Sequence, residues 1–135
     1  MLVYKITESV SYSVHPSHRN RAIGKSQWTV SETTEKNVFA RMLDNEWIQG
    51  NVGWGVHVNR ERLQYVGVSA DGQRKLVLAK FVDGNANNEW HGYPADHQRS
   101  NSDIPASEIL KKWLSENIMS AAKIRKISKG QPCSL

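Results

Sequence analysis

Five histidines are spread over the 135-residue chain, and four of them fall in two short stretches rich in other reactive side chains. The first stretch, residues 15–29 (HPSHRNRAIGKSQWT), carries His15, His18, Arg19, Arg21 and Lys25 and no acid. The second, residues 89–97 (EWHGYPADH), carries Glu89, Trp90, His91, Tyr93, Asp96 and His97. Imidazole titrates near neutrality, so one ring can take a proton while another gives one. Histidines beside arginine and lysine make a sensible set for cleaving RNA without a metal. One ring would remove the 2′-hydroxyl proton and a second would protonate the leaving oxygen. The cations would stabilise the charge that builds up around phosphorus. On that reading the catalytic candidates are His15, His18, Lys25, His57, His91 and His97. The plain alternative is a solvated basic loop, followed later by a packed loop whose Trp90 and Tyr93 lie against a sheet.

Metal chemistry fits less well. The spacing of His91, Asp96 and His97 matches no standard ligand motif, and Gly92 and Pro94 would break the helix on which a paired-histidine site is normally built. A single cysteine, Cys133, excludes an internal disulfide and a cysteine-ligated zinc site. No dinucleotide fingerprint, P-loop or nucleophile elbow is present. The expectation is therefore no metal and no cofactor.

A different chemistry is offered near the C-terminus. Lys123, Arg125, Lys126 and Lys129 would line the outer side of a short helix, where they can contact phosphates. Helix, turn and basic helix over about 104–130 resemble a helix-turn-helix reader, which implies nucleic-acid contact by the second helix. The residues that read base edges are missing near its start, so an amphipathic hairpin with its charged side in water fits too. The chain has 18 Lys and Arg against 13 Asp and Glu, a formal net charge of +5. That excess suits an anionic partner, nucleic acid or another polyanion. The binding candidates are Arg19, Arg21, Trp90, Tyr93, Lys123, Arg125, Lys126 and Lys129.

These groups need elements to hold them. Residues 1–30 read as strand and basic loop, with Val3, Tyr4, Ile6, Val10, Tyr12 and Val14 in partial alternation. Residues 31–44 predict a helix, capped by Ser31, with Glu32 and Glu35 at its positive end and Val38, Phe39, Met42 and Leu43 on one face. Residues 52–83 predict a β-meander. There Trp54 shares an apolar face with Val52, Val56 and Val58, while Gly53, Gly55 and His57 make the other; Asp71-Gly72 is a hairpin turn and LVLAKFV (76–82) an inner strand. Glycine flanking Trp54 would also permit close approach by a ligand. Residues 85–103 have turn chemistry and predict a surface loop. Residues 104–130 predict a helical hairpin, with Asp103 capping its first helix, Ile109, Leu110, Trp113 and Leu114 buried, Ser120 capping the second helix and Gly130 ending it.

The expected fold class is α+β in one domain, residues 1–135: a mostly antiparallel four- to five-stranded sheet, one packed helix and a C-terminal helical hairpin. Cys133 is expected in a frayed tail. The N-terminus is too short and polar for a signal peptide, and no run approaches the ~20 apolar residues that span a bilayer. The expected location is cytoplasmic, with no membrane partner.

Tyr93-Pro94 after a meander, with Pro105 further on, resembles the strand-to-loop region of ubiquitin-conjugating-type domains, but Cys133 stands beyond the helices and not where such an enzyme needs its cysteine. The helix-then-meander order is similar to that of small bacterial toxin ribonucleases built on a four-stranded sheet. Three functions follow: a basic domain that binds RNA or DNA, a metal-independent toxin-like ribonuclease, and a protein-interaction module using the 85–103 loop. Whether the stretches at 15–25 and 89–97 meet in space separates the second from the others.

Overall fold

The computed structural model describes residues 2–135. Among them are ten strands and three α-helices, the first helix after the third strand and the other two after the last strand. Strand β1 (Leu2–Lys5) turns back antiparallel on β2 (Ser11–Val14), and Thr7 Oγ1 closes the turn by accepting from the Ser9 and Val10 amides. The strands β5 (Val52–Asn59), β9 (Leu78–Val82) and β10 (Glu89–Ala95) form the middle of the main sheet, whose order is β1-β2-β10-β9-β5-β4, with β4 at Ile48–Gln49. Strand β6 (Arg62–Gln64) pairs with the far end of β5. A smaller antiparallel sheet joins β3 (Gln27–Trp28), β7 (Gly67–Val68) and β8 (Lys75–Leu76).

The α+β class is as expected, but the main sheet has seven strands and is mixed. The β2–β10 pair is parallel; every other pair is antiparallel. The largest correction concerns residues 89–95, expected in a loop and found as strand β10 in the sheet interior. Its turn-forming residues are tolerated for local reasons. The Pro94 carbonyl accepts from Ser26 Oγ at 2.7 Å, so that edge of Pro94 faces away from β9 and its missing N–H costs the β9 ladder nothing. Gly92 is required by packing, because a Cβ there would overlap the Phe81 ring.

Helix α1 (Glu32–Asp44) begins as expected, with Ser31 Oγ accepting from the Thr34 amide at 3.1 Å. Its buried residues Val38, Phe39 and Met42 sit on the glycine face of β5. A Cβ at Gly53 would collide with Met42 Sδ, and one at Gly55 would press on Val38. The bare face thus seats the helix. Tyr12 and Phe39 stack at 4.8 Å, with Phe81 edge-on to both at 5.7 and 5.4 Å. Trp54, on the opposite face of β5, is also buried.

Glu35 is not an exposed dipole partner. It is fully buried, accepts a hydrogen bond from the Tyr12 hydroxyl on Oε2, and accepts from Arg19 Nε and Nη2 on Oε1 at 3.1 and 2.8 Å. Burial pushes its carboxyl above the usual range, opposed by those bonds. The C-terminal hairpin is present as α2 (Ser107–Ser115) and α3 (Ala121–Ser128), with Ser120 capping α3. Asp103 does not cap α2, whose N-cap is Ala106; it is buried and bonded elsewhere. Leu114 is largely exposed, while Ile109, Leu110 and Trp113 are buried, Trp113 edge-on to Trp47 at 5.8 Å. Cys133 is buried instead of frayed. No helix among the described residues is long and apolar enough to cross a membrane.

Candidate active site

Strand alternation decides which side chains can meet. On β10, Trp90, Gly92 and Pro94 face α1 and the small sheet, while His91 and Tyr93 point to the opposite face. Register extends that face across the sheet in two rows. Ser13, His91, Val82 and Val52 stand side by side in one, and Tyr93, Lys80 and Trp54 in the other. His15, two residues beyond Ser13, leaves β2 on this same face, and the chain then coils through a short 3₁₀ turn (Pro16–His18) that returns His18 to the sheet.

The two stretches therefore meet. The His15 ring lies 5.8 Å from His91 and 6.1 Å from His18, centroid to centroid. His18 stacks on Tyr93 at 5.2 Å, with 18° between the planes. Its Nδ1 lies 2.8 Å from the Ser26 carbonyl, which can only accept. The proton must therefore sit on Nδ1, leaving Nε2 with a lone pair. Burial lowers the pKa of His18, helped by the charges of His15, Lys25 and His91 and opposed by the Ser26 bond. Burial lowers His91 as well, with His15 adding to the effect. His15 Nδ1 accepts from the Ser17 amide at 3.4 Å and lies 2.8 Å from Ser17 Oγ, which can donate to the same nitrogen, so the ring N–H is on Nε2.

His18, Lys25 and Tyr93 line a cleft of about 460 Å³ that also reaches Ser26, Arg99 and Asp103. Its acids are already engaged. Asp103 accepts from Tyr93 Oη at 3.0 Å and from the Asp96 amide at 2.8 Å, with Lys80 Nζ 3.7 Å away. Burial, then the Asp103 charge and bond, push the Tyr93 phenol up, so it stays a donor to Asp103. Asp96 is held by Arg74 through two bonds of 2.5 Å. Lys80 Nζ donates to the Ser102 carbonyl at 2.6 Å and lies 5.6 Å from the Trp54 ring centroid.

Not every candidate belongs here. His97 is buried and its Nε2 is 2.7 Å from the Gln131 carbonyl, so it ties the tail to the sheet. His57 lies on the α1 side of β5, opposite Gln64, where burial and then Arg41 lower its pKa. Trp90 is buried 5.8 Å from Phe39 and offers no binding surface. Arg19 is spent on Glu35 and on the Val30 carbonyl. Arg21 and Lys25 are exposed beside the cleft. Arg125, Lys126 and Lys129 are exposed on α3 and at its end, and Lys123 is half-buried there. Among the described residues, no group of three or more His, Cys, Asp or Glu could hold a metal ion.

Sequence reading missed Ser26, Lys80, Arg99 and Asp103. Lys80 had a signal, as the one charge inside LVLAKFV. The others sit in irregular segments whose approach to the sheet has no local signature. Comparison with protein-family models, curated proteins and solved structures finds no match. The chemistry of the cleft itself must carry the functional reading.

Proposed function

We propose that the protein is a metal-independent ribonuclease whose active site is the His15–His18–His91 cluster. The observation that carries this reading is the tautomer of His18. A backbone carbonyl holds Nδ1–H, an aromatic ring fixes the plane, and a depressed pKa keeps Nε2 unprotonated at neutral pH. Those are the properties of a general base. His15 is the matching acid by position, its ring lying 6.1 Å from His18 and 5.8 Å from His91.

The step balances without a further reactant. His18 Nε2 takes the proton from a ribose 2′-hydroxyl, and the 2′-oxygen bonds to phosphorus. The bond from phosphorus to the 5′-oxygen breaks, and His15 gives that oxygen a proton. The products are a 2′,3′-cyclic phosphate and a free 5′-hydroxyl. Lys25 and Arg99, which line the cleft with His18, stabilise the added negative charge, and the His91 ring stands 5.8 Å from His15. The toxin-like resemblance of the element order is compatible with this reading but adds no residue to it.

A second reading is a nucleic-acid-binding domain without catalysis, supported by the exposed Arg125, Lys126 and Lys129. One experiment separates them: incubation with RNA in excess chelator, followed by detection of 2′,3′-cyclic termini. The ribonuclease reading expects such termini from the native chain and their loss in His18→Asn. Binding that weakens steeply with salt, with no cleavage at any pH, would leave the second reading standing.

A further inference from the structure

We infer that the substrate is single-stranded RNA that crosses the loop 21–25 and lies in two adjoining clefts. The inference rests on the ribonuclease reading for its chemistry. The observation behind it is independent: a second cleft, of about 470 Å³, adjoins the cleft that His18 lines, while His15 and His91 stand beside His18 outside both linings. The two share Lys25 and Ala70 in their walls. Gly24 and Ser26 face the first, while Arg21, Ala22 and Gln27 face the second. The loop is thus a ridge between them.

The ridge is built to stand rigid. Arg21 has φ 60° and Gly24 φ 78°, and the Gln27 side chain braces the inside of the turn, accepting from the Arg21 amide at 2.9 Å and donating to the Ser17 carbonyl at 2.9 Å. At its crest Ile23 is completely exposed, between two cations. Among the described residues, Arg21, Lys25 and Arg99 take part in no ion pair, whereas the acids Asp96 and Asp103 in the first cleft are paired; Asp71, the one acid of the second cleft, accepts from Ser69 Oγ and the Gln73 amide and leaves the cations there in excess. The groove therefore has uncommitted positive charge spaced along it and an apolar crest in the middle. A flexible polyanion with flat apolar bases matches that pattern. Phosphates would meet Lys25 and Arg21 on either side, and a splayed base would pack on Ile23. A duplex, with its bases stacked inward, presents nothing for the crest and cannot fold across a ridge into two clefts.

The test uses the native chain with a dinucleotide, a tetranucleotide and a duplex RNA as substrates, and a tetranucleotide of 2′-deoxy residues as a ligand that cannot be cut. The variants are Arg21→Asn, since asparagine tolerates positive φ, and Ile23→Ser; both positions are on the surface. The expected results are a tetranucleotide favoured over the dinucleotide by about tenfold in kcat/KM, a preference that shrinks severalfold in either variant through KM, and slow cleavage of the duplex. The deoxy ligand should bind less tightly to both variants. Equal cleavage of single-stranded and duplex RNA, or a length preference untouched by both variants, would overturn the groove while leaving the ribonuclease reading intact. No cleavage of any RNA, together with weaker deoxy-ligand binding in the variants, would overturn the ribonuclease reading and leave the groove as a binding site.

Discussion

The two faces of β10 differ completely in what they ask of their residues. Toward α1, Trp90 and Gly92 enter an aromatic core in which Gly92 has no room for a methyl group. Toward the other side, His91 and Tyr93 enter a half-open region of imidazoles and paired charges. The same contrast holds on β2, where Tyr12 lies in the core and Ser13 and His15 lie on the reactive face. A sheet packed hard on one side is a rigid plate, and side chains on its other side inherit that rigidity. The difference teaches that on β10 the two-residue period of the strand separates an aromatic core from a half-open polar region.

That separation can be broken or sharpened by substitution. The largest effect is expected from His18→Asn, which should lower RNA cleavage by about 10²- to 10⁴-fold, as loss of a general base does, while thermal unfolding stays near that of the native chain. A large loss of stability instead would mean that the reactive face is structural. On the core side, Glu35→Ala should cost about 3–5 kcal/mol, because it leaves the Arg19 guanidinium and the Tyr12 hydroxyl without their buried partner. Chemical denaturation measures this directly, and a change under about 1 kcal/mol would show that the pair is not energetically coupled to the core. Gly92→Ala, which pushes a methyl into the Phe81 ring, should cost about 1–3 kcal/mol. His91→Ala, one residue away on the other face, should stay within about 1 kcal/mol in the same measurement. The smallest effect is in pH. A base with a lowered pKa stays unprotonated further into acid, so the acid limb of kcat/KM should fall below the ordinary imidazole value of about 6.5. A limb at or above that value would remove His18 as the base.

Much of the core side was legible in the sequence. Ser31 ahead of the Val38, Phe39 and Met42 stripe marked the helix, because capping and periodicity are local signals. The reactive face was half legible. The residue types in the two histidine stretches were evident, but their meeting depends on a parallel pairing between Ser11–Ser13 and Glu89–His91, which has no local signature. Residues 89–95 have the sequence of a loop because Gly92 and Pro94 are turn formers. Both have tertiary reasons to be in a strand, one a ring pressed against it and the other a ladder edge that needs no N–H. Glu35 and Asp103 fitted helix-end roles by position, and were instead drawn to Arg19 and to Tyr93 by contacts that sequence spacing does not encode.

The parallel join of β2 to β10 also sets the order in which the histidine cluster is assembled. His15 and His18 leave the ribosome early and wait for His91 to follow, since β10 is the last strand of the sheet to be made. A chain that has formed only the β1–β2 hairpin and α1 cannot bring the three imidazoles together, because His91 stands on the last strand.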